Sequence, residues 1–190
     1  MFLDAGSGIF AAMLTSWVFG TPLSWMLIAV GVIFAFLPDI DYLVHLGRGG
    51  TSRNAYRHRD LFHYPLLFIP TGVIVFSFVG KEWALLFGVA SFLHFLHDSI
   101  GIGWGVQWLY PFSKDHYTFF YRYQPRHKER LPRQFALVLI WKHEEIDMLA
   151  DKYGDENWIR NIYLRWHPYA IAELLFFLVA LAALYLFVDR

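Results

Sequence analysis

The chain has 190 residues, of which 57% are hydrophobic and 20% aromatic, a composition too apolar for an ordinary soluble domain of that length. Lysine plus arginine balance aspartate plus glutamate at 16 each, so no basic field recruits nucleic acid by counterion release and none is expected as a partner. Cysteine is absent, which excludes disulfides and thiolate ligands and leaves nitrogen and oxygen to hold any metal.

Met1 to Gly8 carries Asp4 and no Lys or Arg ahead of the first apolar stretch, so no cleavable signal peptide is expected and that stretch is retained. It runs from Ile9 to Leu37 and is interrupted at Gly20-Thr21-Pro22. Proline ends or kinks a helix, so the stretch reads either as one kinked span or as a hairpin of two short helices. It closes on Leu37-Pro38-Asp39-Ile40-Asp41, where two carboxylates two residues apart can reach a shared cation or simply stop the helix as solvated acids. The polar loop from Ile40 to Asp60 adds Arg48, Arg53, Arg57 and Arg59, and it ends among His58, Asp60 and His63.

Apolar segments from Pro65 to Val79 and from Trp83 to Leu96 are separated only by Gly80, Lys81 and Glu82. That predicts a tight helical hairpin whose outer ends meet at one surface, beside the acids that end the first stretch. The second segment delivers His94 and Asp98, at i and i+4 on one helix face, where an imidazole and a carboxylate can pinch one ion or merely bond each other. Ionisable groups at the end of a membrane segment are costly unless paired or functional. His97 lies off that face and suits a supporting or packing role.

From Gly101 to Pro168 the chain is mixed and aromatic-rich, with helices expected from about Gln134 to Tyr153 and near Trp158 to Trp166. Trp104, Trp108, Tyr110, Phe112, Tyr117, Phe119, Phe120, Tyr121 and Tyr123 suit a headgroup interface. A second His-x-x-x-Asp, His143 and Asp147, sits in a charge-rich stretch and reads equally as a ligand pair or as a solvated helix face. His45, His116, His127 and His167 lack such partners and read as interfacial. Tyr169 to Val188 is the cleanest membrane span.

The fold class these segments predict is all-α: one membrane-embedded domain over 1–190, a multi-pass helical bundle of about four or five membrane helices with a helical, aromatic-rich cytoplasmic cap. Residues 1–100 form the N-terminal membrane helices, 101–168 the cap and 169–188 the C-terminal transmembrane helix. The first polar loop and the cap hold most of the Lys and Arg, which places that face in the cytoplasm of a cell whose inner membrane the chain crosses.

Candidate metal ligands are Asp39, Asp41, His58, His63, His94 and Asp98, with His143 and Asp147 behind them. Imidazoles and carboxylates without thiolates suit Zn²⁺ first, with Mn²⁺ or Fe²⁺ as alternatives, and more than four ligands suggest two or more ions. Asp39 and Asp98 are the candidate catalytic carboxylates. Arg59, or Arg57, stands beside the cluster where a guanidinium can hold a phosphate oxygen.

Leu37-Pro38-Asp39-Ile40-Asp41, His58-Arg59-Asp60-Leu61-Phe62-His63, His94 to Asp98 and Trp108-Leu109-Tyr110-Pro111-Phe112-Ser113, in that order, resemble the YdjM-like family of predicted membrane-bound metal-dependent hydrolases. The resemblance implies a bundle of membrane helices with a metal site at one end. It also implies a distant kinship to zinc-dependent phospholipase C and related nucleases, whose zinc cluster uses two His-x-x-x-Asp/Glu pairs; His94 with Asp98 matches the first and His143 with Asp147 the second. Two departures stand out. The family begins its first helix with a histidine, whereas this chain has Gly6-Ser7-Gly8 there, with Asp4 or Ser7 the nearest polar group; and Tyr64 follows His63 where a serine is common.

The function expected is therefore a membrane-bound metal-dependent hydrolase cleaving a phosphoester or other ester of a lipid, or of a membrane-presented substrate, by metal-activated water. Its partners are membrane lipids. The alternative is a non-enzymatic membrane protein whose metal, or His/Asp hydrogen-bond network, staples helix ends. A transporter needs ionisable groups near mid-membrane, and these cluster at segment ends.

Overall fold

The computed structural model describes residues 1–49, 62–121, 136–155 and 157–188. Helix α1 spans Phe2–Phe19 and α2 spans Trp25–Phe36. The first apolar stretch is thus two helices, and the break is local chemistry. Gly20 takes the left-handed conformation at φ 61° and its N–H returns to the Ser16 carbonyl, while Ser24 accepts from the Leu27 N–H at 3.1 Å to cap α2. Only glycine adopts that conformation without cost. A 3-10 turn over Leu37–Asp39 passes directly into α3, Ile40–Gly47.

Helix α4, Pro65–Ser77, and α5, Lys81–Asp98, form a hairpin about Gly80. The last helix, α7, spans Pro168–Val188. Among the described residues, three helical stretches are long and apolar enough to cross a membrane: Phe2–Phe19, Trp25–His45 and Pro168–Val188. Helix α4 is apolar but shorter.

α1 packs against α2, α5 and α7, and α2 and α4 each pack against α5. In lipid, apolar burial alone does not bring helices together; close backbone approach and van der Waals packing do. Gly8 of α1 meets Gly31 of α2 so closely that a Cβ on Gly31 would fall 2.5 Å from the Gly8 carbonyl oxygen. Ala11, Ala12 and Ala35 extend this small-residue seam, and Phe34, Phe76 and Phe87 interlock below it, with Phe34 edge-on to Phe87 at 5.2 Å. Gly31→Val is expected to destabilise the protein by roughly 1–3 kcal/mol through overpacking. Gly47→Ala, at a position with nothing within 4 Å, is the matched control. Thermal unfolding in detergent checks both; equal melting temperatures for the two variants would refute the seam.

The cap departs from the all-α expectation. Strand β1, His116–Tyr121, pairs antiparallel with β2, Ala136–Trp141, with Thr118 opposite Leu139. Ala136 to Trp141, expected to open a helix, is therefore extended. Rich in large and β-branched side chains, it finds a ladder in the aromatic segment from His116, and tertiary pairing overrides helical periodicity. Only α6, Ile146–Tyr153, realises the helix expected there, and Trp158–Trp166 contains just a π turn at Ile159–Tyr163. Tyr121, Leu139, Trp141, Ile146 and Tyr153 form a small second core. The cap is stitched to α5: the Phe119 N–H donates to the Ser99 carbonyl at 2.6 Å, and Trp108 Nε1 donates to Ser99 Oγ at 2.7 Å.

Candidate metal centre

Chain direction brings five helix ends to one end of the bundle: the start of α1, the end of α2, the approach to α4, the end of α5 and the start of α7. Asp4, Asp39, Asp41, His63, His94, His97, Asp98 and Glu173 all sit at those ends. Among the described residues, Asp39, His63, His94 and Asp98 form a group in which one donor atom from each lies within 4.8 Å of every other. His63 Nε2 is 3.7 Å from Asp39 Oδ1 and 3.2 Å from Asp98 Oδ2. His94 Nε2 is 3.7 Å and 4.0 Å from the same two oxygens. Donors bound tetrahedrally to an ion at about 2.0–2.1 Å stand roughly 3.3–3.4 Å apart, and the imidazole–carboxylate separations of 3.2, 3.7, 3.7 and 4.0 Å bracket that spacing.

Both imidazoles present the same atom to the gap. His63 Nδ1 bonds Asp41 Oδ2 at 2.8 Å, and His94 Nδ1 bonds Asp4 Oδ1 at 3.2 Å. Each outer carboxylate fixes its ring so that Nε2 points inward, the arrangement by which metal-binding histidines are usually oriented and made more basic. His94 Nε2 is fully buried and has no hydrogen-bond partner among the described residues. A buried polar atom left so is costly and calls for an occupant.

Burial disfavours a charged His63, but its hydrogen bonds with Asp41 and Asp98 outweigh that and raise its pKa to about 9. The pocket is thus electrostatically prepared for positive charge. Asp41 also accepts from the Phe62 N–H at 3.2 Å, which ties the approach to α4 onto the start of α3. His63 and His94 are buried, whereas the Asp39 side chain is 41% exposed, so the group opens on the Asp39 side.

The sequence-derived ligands therefore part company. Asp39, His63, His94 and Asp98 come together; Asp41 stands behind His63 as its orienting carboxylate. His143 lies in the cap, stacked on His116 at 5.7 Å and 3.2 Å from Gln107 Nε2, outside the four-residue group. Asp147 is in the first turn of α6. Arg57, His58 and Arg59 lie outside the described residues.

Two acids carry roles that residue spacing did not assign. Asp4, noted only as a polar group near a missing histidine, is 2% exposed and shares one oxygen between His94 and His97, the latter at 3.1 Å. Glu173, 1% exposed in α7, meets His97 Nε2 at 3.2 Å. A lone acid within the most apolar span was the available signal, since such a group is rarely there without a partner. Tyr64, at the position next to His63, stacks on Tyr110 with ring centroids 4.1 Å apart, which brings the Trp108 to Ser113 segment alongside His63.

The family model for the YdjM inner membrane protein matches residues 3–189. The chain belongs to this family. It is a membrane protein on that match and on its three long apolar helices. Neither the curated proteins nor the solved structures include a match. The family match takes in every site residue from Asp4 to Glu173, including the two that spacing left unassigned.

Proposed function

We propose that the chain is a membrane-bound, metal-dependent hydrolase whose ion is held by Asp39, His63, His94 and Asp98, with zinc the first choice. The observation that carries this reading is the pair of buried imidazoles, each turned Nε2 inward by a carboxylate on Nδ1 and facing two further carboxylates. Two nitrogens and two oxygens suit a borderline ion. A divalent ion there supplies a Lewis acid and activates water for attack near neutral pH.

The protein's own part is to orient and to admit substrate. Asp41 and Asp4 hold the rings, Asp98 is drawn between them from the same helix as His94, and Asp39 lines the open side. The ends of membrane-length helices lie where headgroups lie, so a lipid ester or phosphoester reaches Asp39 without leaving the interface. The expected kinship to zinc-dependent phospholipase C favours a phosphoester, and Arg59 is proposed to hold its oxygens. The Lys- and Arg-rich loops favour a cytoplasmic site.

The test is elemental analysis of the purified protein together with a panel of phospholipid and phosphodiester substrates. Stoichiometric metal is expected, along with turnover that a chelator abolishes and zinc restores. A second reading has its own support: four protein donors complete a tetrahedral shell, as structural zinc sites do. Metal-loaded protein inert toward the whole panel, yet losing thermal stability on chelation, would establish that reading instead.

A further inference from the structure

α7 is the most apolar of the three membrane-length helical stretches, with a mean hydropathy of 2.6, and its acid at position 173 is buried with 1% exposure. A carboxylate in that setting costs several kcal/mol unless partners compensate it. Its partners are well defined. Glu173 Oε1 accepts from the Tyr163 hydroxyl at 2.9 Å and lies 3.2 Å from His97 Nε2; Oε2 lies 3.3 Å from the Met1 amino group. That amino group is also 2.9 Å from Asp4 Oδ2.

His97 does not stop at Glu173. Its Nδ1 reaches Asp4 Oδ1 at 3.1 Å, and the same oxygen meets His94 Nδ1 at 3.2 Å. A continuous chain of hydrogen-bonded groups therefore runs from Tyr163 through Glu173, His97 and Asp4 to His94. It links α7 to α5, α5 to α1 and α1 back to α5. An aspartate on the first turn of α1 has rotamers of its own, and contacts with His94 and with the amino group of the exposed Met1 leave it room to turn. With His97 holding the same oxygen from a second direction, and Glu173 holding His97 from the far side, the Asp4 carboxylate has one place to be.

We infer that Glu173 is a positioning residue for the metal centre, acting through His97 and Asp4 to fix the ring of His94. The inference rests on the metal reading proposed above and deepens it: the C-terminal helix, which places no donor in the four-residue group, sets the geometry of one of its ligands. Loss of a direct outer partner such as Asp4 typically costs about 10–100-fold in metal affinity. Glu173 acts two links further out, so a loss of roughly 3–10-fold is expected, below that range.

The experiment loads the 190-residue chain in detergent with Co²⁺, whose visible absorption reports ligand geometry. Wild type, Glu173→Ala, Glu173→Gln and the exposed control Glu144→Gln are compared by dissociation constant, measured against a chromophoric chelator, and by spectrum at saturation. Glu173→Ala should weaken binding and alter the spectrum. Glu173→Gln, which keeps an oxygen for His97 and Tyr163, should recover much of both. Glu144→Gln should match wild type. Should the alanine variant not fold, the glutamine variant carries the comparison, because its affinity is still expected below that of wild type. Wild-type affinity and spectrum in both Glu173 variants, even with lowered melting temperatures, would mean the acid merely supports the fold and would overturn the inference. Wild type that binds no Co²⁺ would overturn the metal reading and this inference together, so the two failures are distinguishable.

Discussion

Replacing His94 by alanine should yield purified protein without stoichiometric metal and without metal-dependent turnover. The loss should exceed the 10–100-fold in affinity that removing an outer partner typically costs, because it deletes a donor itself. Asp98→Ala should do the same from one turn further along the same helix face, where its oxygen stands 3.2 Å from His63 Nε2. Elemental analysis after gel filtration measures both. In neither variant is collapse of the bundle expected: the Gly8 and Gly31 seam and the Phe34, Phe76 and Phe87 cluster lie deeper in it and do not depend on the site. A melting temperature unchanged by chelation in the His94 variant, but lowered by it in wild type, would confirm that the ion had gone. Variants that retained full metal would refute the four-residue group outright.

Asp41→Asn separates two roles that neighbouring carboxylates can play. If Asp41 orients His63 through Nδ1, the variant should still fill with metal at saturation, with affinity about 10–100-fold weaker. The amide still accepts from a ring N–H, but it lacks the charge that makes the imidazole a better donor. A direct ligand would behave differently, and stoichiometry itself would fall. Titration with zinc in the presence of a competing chelator distinguishes the outcomes. Full wild-type affinity in Asp41→Asn would remove the orienting role, even though Asp41 is buried and 2.8 Å from the ring.

The two aspartates also show where one-dimensional reading stops. Leu37-Pro38-Asp39-Ile40-Asp41 announces acids at a helix end, and nothing in that spacing says which of them faces the gap. The turn decides it: Leu37–Asp39 is a 3-10 turn that passes into α3 at Ile40, which leaves Asp39 on the open side and Asp41 turned back against His63 and the Phe62 N–H. The two His-x-x-x-Asp motifs make the same point more sharply. His94 and Asp98 share a face because α5 is a continuous α-helix through Asp98. His143 instead falls in a 3-10 turn over His143–Glu145 that precedes α6, and there four residues no longer make one turn of an α-helix. Identical spacing thus brought one pair into the group of four and set the other in the cap.

What the sequence determined by itself was the solvent and the inventory. An apolar, aromatic composition without cysteine fixed a membrane protein whose polar chemistry had to come from nitrogen and oxygen. Segment order, with Gly80 turning one hairpin and Gly20-Thr21-Pro22 breaking another, fixed which segment ends could meet, because helices that reverse direction return their ends to the same side. Tertiary structure alone decided the roles. Whether 136–141 becomes strand or helix depends on a partner strand some twenty residues earlier in the chain. Whether Asp4, Asp41 and Glu173 bind an ion or steady an imidazole depends on ångström-scale distances between helices far apart in sequence. Hydrogen bonds fall away over tenths of an ångström, and no pattern along a single chain encodes a distance that short.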